Sequence, residues 1–110
     1  MPESIPEHLL ENVAERFRVL GDATRLAILR TLLASGEMNV GEVVARLDTS
    51  QANVSKHLRV LHEAGIVERR QQGTAAYYSV TDPSITQLCE IVCDRLQGQA
   101  EMEARRFAYR

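Results

Sequence analysis

The sequence predicts a mainly α-helical domain with one β-hairpin, arranged as a winged helix-turn-helix. Three observations predict it. Apolar residues recur at spacings of three and four along most of the chain. Two short helical patterns, at about 40–47 and 51–64, are separated by the tight polar turn Asp48-Thr49-Ser50. Directly after them, residues 66–80 change to a strand–turn–strand pattern around Gly73.

Each element has its own signal. Leu9, Leu10, Val13, Phe17 and Leu20 give a first helix over 7–20 with one apolar face. Gly21 ends it, and Asp22 is suited to cap the next. Leu26, Ile28, Leu29, Leu32 and Leu33 carry a second helix over 23–34, stopped by Ser35-Gly36. Val40, Val43, Val44 and Leu47 mark the third. Ser50 can cap the fourth, which runs from Gln51 to about Ala64 with Val54, Leu58 and Leu61 inward and Gly65 as its stop. Residues 66–70 and 75–80 read as strands around Gln71-Gln72-Gly73-Thr74. Asp82-Pro83 opens a last helix over about 83–105, with Ile85, Leu88, Cys89, Val92 and Leu96 as its stripe and a weaker continuation to Met102. No linker or repeat interrupts residues 1–110, which read as one domain.

Composition narrows the function classes. A chain of 110 residues, 45% hydrophobic and 25% charged, fits a folded globular domain that gains by oligomerising. The apolar runs are too short to span a membrane. Met1-Pro2-Glu3-Ser4-Ile5-Pro6-Glu7 has neither the basic nor the apolar region of a secretory signal, so a cytoplasmic location is expected. No phosphate loop, catalytic carboxylate pair or nucleophile–base spacing is present, which argues against an enzyme.

The formal net charge of −2 at first discourages a nucleic-acid partner. Its distribution reverses that reading. Residues 1–45 hold four Lys+Arg against seven Asp+Glu; residues 46–72 hold five against three; residues 73–110 hold four against five. Positive charge therefore collects where a docking surface is expected.

The fourth helix should present Gln51, Asn53, Ser55, Lys56, His57 and Arg59 outward, beside its cap Ser50. Amides and hydroxyls suit base edges, and cations suit phosphates. The hairpin adds Arg69, Arg70, Gln72 and Thr74, placed to reach phosphates or the minor groove. The bland alternative is a solvated helix face and a soluble hairpin. A related alternative is a winged-helix module that contacts protein. Tyr77 and Tyr78 read as strand-packing residues, His57 and His62 as surface or DNA-facing, and His8 as solvated.

Several of these segments resemble the ArsR/SmtB family of small winged-helix repressors. Gly21-Asp22-Ala23-Thr24-Arg25-Leu26-Ala27-Ile28-Leu29 is similar to its second-helix signature. The stretch from Ser50 through Lys56-His57-Leu58-Arg59 to Gly65-Ile66-Val67 resembles its recognition helix, and Arg70-Gln71-Gln72-Gly73 with Tyr77-Tyr78 its wing. The resemblance covers about residues 9–97. It implies a homodimer built from the first and last helices, binding double-stranded DNA at an imperfect inverted repeat in a promoter and released by an inducer. The apolar stripes of those two helices agree with such pairing across a two-fold axis.

The family's metal sites are not matched. Asn39 and Gly41 stand where its third-helix cysteines would be. Asp82 is present for the last-helix zinc-type site, but Ser84, Arg95 and Gly98 occupy its other positions. What remains is Cys89 and Cys93. Four residues apart on a helix, they share a face at about 6 Å, near the limit of disulfide geometry. Two thiols there could take a soft metal ion or metalloid (arsenite, zinc, cadmium or copper(I)), or serve oxidation or persulfide chemistry. The alternative is that both are small hydrophobes in an interface stripe, with no metal or redox effector.

Overall fold

The structure, a computed structural model, describes residues 5–108. The N-terminal stretch read for a secretory signal therefore lies in part, at residues 1–4, outside the described residues, as do residues 109–110. After a 3-10 turn at Glu7–Leu9 come α1 (Leu10–Leu20), α2 (Ala23–Ser35), β1 (Met38–Asn39), α3 (Val40–Arg46), α4 (Gln51–Glu63), β2 (Val67–Gln72), β3 (Ala75–Val80) and α5 (Pro83–Ala108). This is the winged helix-turn-helix read from the sequence.

Local chemistry sets the boundaries. The Asp22 carboxylate accepts from the Arg25 N–H at 3.0 Å, and Ser50 Oγ from the Asn53 N–H at 3.1 Å. Asn39 and Glu42 form a reciprocal capping box at α3. α4 ends with the Gly65 N–H on the His62 carbonyl and the Ile66 N–H on the Leu61 carbonyl. That pairing needs a left-handed residue, and Gly65 supplies it at φ 76°.

The core is one cluster: Ile28, Leu29 and Leu32 of α2, Val43 of α3, Val54, Leu58 and Leu61 of α4, with Val19, Leu20, Met38, Ile66, Val67 and Ile85 around them. The two-residue strand β1 is absent from the sequence reading. It forms because Met38 and Asn39 pair antiparallel with Tyr78 and Tyr77, making a three-stranded sheet ordered β1-β3-β2. The hairpin strands also run further toward the tip than expected, with Gln72 opposite Ala75 and only Gly73 and Thr74 between them.

The ends of the chain differ from the middle. α5 has 26 residues and so extends about 39 Å, yet only Ile85 on it is buried. Leu10 and Phe17 of α1, and Ile91, Val92, Leu96 and Met102 of α5, are all exposed. No helix among the described residues is long and apolar enough to cross a membrane.

Candidate nucleic-acid interface

α4 buries Val54, His57, Leu58 and Leu61, and turns Gln51, Ala52, Ser55, Lys56, Arg59 and His62 outward. Between this face and the sheet runs a groove of about 610 Å³ lined by Ala52, Ser55, Lys56, Arg59, His62, Arg69 and Tyr78. Among the described residues, no salt bridge involves Lys56, Arg59 or Arg69, whereas Arg16, Arg18, Arg70 and Arg106 are all paired with carboxylates. Three unneutralised cations along one groove are what phosphate binding requires.

One expected placement is corrected, and a second residue is found engaged by a carboxylate. His57 is 8% exposed and faces the interior, not the outer face. It lies three residues after Val54 and four before Leu61, on the apolar stripe, and its Nδ1 is 3.2 Å from the Arg25 guanidinium. The spacing alone could have placed it there; its polar character argued the other way. Arg70 is exposed but engaged. Its guanidinium forks onto Glu37 at 2.9 and 2.6 Å, donates to Gln72 Oε1 at 2.7 Å and stacks 5.1 Å from the Tyr77 ring centre. Successive strand residues face opposite sides, so Arg69 reaches the α4 groove while Arg70 and Gln72 face away together. The pair with Arg70 holds the Glu37 carboxyl below its usual range, mainly through the hydrogen bonds it accepts.

The remaining residues are placed as follows. Asn53 is half-buried, with Nδ2 donating to Thr49 Oγ1 at 2.8 Å, so its amide braces the turn before α4. Ser50 is exposed and spends an acceptor on the cap. Thr74 is exposed at the hairpin tip. Ala52 and Tyr78 were not among the expected contacts. Ala52 follows from the same outward repeat as Ser55 and Arg59, but Tyr78 enters only through sheet pairing.

The thiols lie elsewhere. Cys89 is half-buried, Cys93 exposed, and both are free. They line an open groove of about 1100 Å³ between α1, α2 and α5, whose other walls include Phe17, Leu26, Leu33, Val92 and Leu96. Among the described residues, no three His, Cys, Asp or Glu side chains come together to hold a metal ion.

A helix-turn-helix whose second helix carries an open polar face beside a basic hairpin groove defines a winged-helix DNA-binding protein. A family model described as a helix-turn-helix domain matches residues 20–70. An uncharacterised HTH-type transcriptional regulator of Methanocaldococcus jannaschii is 38% identical over 74% of this chain and 92% of its own. A transcriptional repressor SmtB homolog of Synechocystis is 33% identical over 87% of this chain and 72% of its own. Among solved structures, M. tuberculosis Rv0081 superposes with a TM-score of 0.78 at 30% identity, covering 90% of this chain and 99% of that one. The repressor BigR of Xylella fastidiosa does so at 0.69 and 32%, covering 78% and 87%. The chain belongs to the ArsR/SmtB family of winged-helix transcriptional repressors, and is not an enzyme.

Proposed function

We propose that this protein is a homodimeric repressor, formed in the cytoplasm, that binds an inverted-repeat promoter operator and is released by a thiol-directed signal at Cys89 and Cys93. The observation that carries the DNA half is the groove in which Lys56, Arg59 and Arg69 stand without carboxylate partners among the described residues, beside the outward face of α4. Gln51 and Ser55 supply base-edge chemistry, and Thr74 and Gln72 extend the wing. Arg70 contributes to DNA only after leaving Glu37.

The dimer reading is supported by the exposed apolar faces of α1 and α5. Patches of that kind on a small domain mark an association surface. Two-fold pairing would set two α4 helices against half-sites about 34 Å apart.

For the effector, relatives named for cadmium resistance in Staphylococcus aureus and arsenical resistance in Escherichia coli support a soft, thiophilic species. Cys89 and Cys93 open onto a groove shared with the dimer-forming helices, so a ligand or oxidant there would disturb dimer geometry. The competing reading, that the thiols only pack, is favoured at one position: Cys89 lies against the core cluster.

A retardation assay on the DNA upstream of the gene tests the reading. Sequence-specific retention that weakens steeply between low and near-physiological salt is expected. Absence of any protected DNA in a footprint would favour a protein-interaction module instead.

A further inference from the structure

We propose that Arg16 is a positioning residue for DNA recognition: it fixes the reading helix α4 to the helices that form the dimer, and so sets the separation of the two reading helices. This rests on the operator-binding dimer described above.

Arg16 sits on α1. Its Nη1 donates to Asp82 Oδ2 at 2.8 Å, and its Nη2 to the Ala64 carbonyl at 3.2 Å. These two acceptors belong to different parts of the machine. Asp82 caps α5, holding the Ser84 N–H at 3.0 Å and the Ser84 hydroxyl at 2.7 Å with its other oxygen. Ala64 is the residue on which α4 closes. Carbonyls at a helix end lack intrahelical partners and carry partial negative charge, so a guanidinium is well suited to bind one. One side chain thus ties α1, the start of α5 and the end of α4 together.

The tie is placed where other connections are few. The main packing partners of α4 are α2, α3 and β2 rather than α1 or α5. In a dimer made by α1 and α5, the pose of α4 relative to those helices determines how far apart the two reading heads stand. A planar guanidinium engaging two acceptors at a fixed angle restrains that pose. An ammonium, as a point charge, would hold one acceptor without fixing direction.

The test uses full-length protein and a pool of random-sequence duplexes, followed by affinity measurements on duplexes whose half-site spacing is changed in single base-pair steps. Wild type is expected to enrich one half-site sequence at one preferred spacing. Arg16→Gln should keep the half-site sequence and lose affinity by up to about fivefold, the upper range for a part-exposed ion pair. Its spacing preference should broaden. Asp82→Asn, which leaves the bond to the Ala64 carbonyl in place, should broaden it less, and the double variant should match Arg16→Gln, because Asp82 acts on α4 only through Arg16. Arg16→Lys, which keeps the charge, should lie between wild type and Arg16→Gln; it serves as the readout if Arg16→Gln does not fold. A uniformly structural role would lower the melting temperature while leaving the spacing profile as sharp as in wild type, and that result in Arg16→Lys and Asp82→Asn overturns the proposal. Failure of wild type to enrich any sequence would sink the operator reading itself, and the role of Arg16 with it.

Discussion

His57 Nδ1 lies 3.2 Å from Nη1 of Arg25, so a residue in the middle of the reading helix is tied to the start of α2. Arginine has no acceptor, so this contact is a hydrogen bond when Nδ1 is the unprotonated ring nitrogen. Arg25 is itself anchored: Nε donates to the Val19 carbonyl at 2.6 Å, and its backbone N–H is held by Asp22. His57 therefore orients α4 from behind.

From this, His57→Ala should destabilise the fold by about 1–3 kcal/mol, the usual cost of a part-buried donor left unpaired. Base preference at each operator position should not change. Thermal melting and sequence selection together check it. An unaltered melting temperature with altered base preference would mean that His57 touches DNA after all.

Glu37 restrains Arg70, and removing the restraint should be visible. Glu37→Gln is expected to strengthen nonspecific DNA binding and steepen its salt dependence, because a freed guanidinium can take a phosphate. Arg70→Ala should cost less affinity than Arg69→Ala. Equal losses in the two alanine variants would show that Arg70 leaves Glu37 on binding without penalty.

Acid should weaken the fold through its caps. The Arg25 N–H holds the Asp22 carboxyl below its ordinary range, and the Ser84 hydroxyl and N–H, with Arg16, do the same for Asp82. Both groups bind protons more readily unfolded than folded. Their contribution is complete above the unfolded carboxylate range, near pH 4, and is lost as pH falls through the lower folded values. Urea unfolding at neutral and acid pH should show Asp22→Asn close to wild type at pH 7, since asparagine also caps well, with a flatter loss of stability below about pH 4. An acid slope identical to wild type would contradict the assignment.

The proposed dimer, paired through the exposed faces of α1 and α5, predicts a monomer on charge insertion. Phe17→Glu or Leu96→Glu should leave helical content intact while sedimentation shows half the wild-type mass. Unchanged mass in both variants would place the dimer surface elsewhere.

Cys89→Ser and Cys93→Ser should preserve DNA binding and abolish its release by arsenite, cadmium, zinc, copper(I), oxidants or persulfide donors, whichever acts on wild type. If both variants respond as wild type does, the cysteines are packing residues.

The helices were legible because their signals are local. Asp22, Ser50 and Asp82 announce helix starts within a few residues of the positions they cap, and the apolar spacing gives each inward face. What was not legible is non-local. β1 exists only because Met38 and Asn39 meet Tyr78 and Tyr77 across the sheet. The Glu37–Arg70 fork and the Arg16–Asp82 link join residues 33 and 66 positions apart. The basic segment was visible as composition. Which of its cations stay unneutralised depends on where distant carboxylates fold, and this separates Arg69 from Arg70. His57 shows the opposite case: position 57 fits the buried repeat, while its polar side chain suggests an outward role.

The most direct test of the account is the salt dependence of binding to a selected inverted-repeat duplex, compared for wild type and for Lys56→Ala, Arg59→Ala and Arg69→Ala. Wild type should lose affinity steeply with salt, and each variant should flatten the log–log slope by about one unit per chain for each phosphate contact removed. A shallow wild-type slope, or three variants with the wild-type slope, would contradict the claim that the groove between α4 and the wing is the DNA-binding surface.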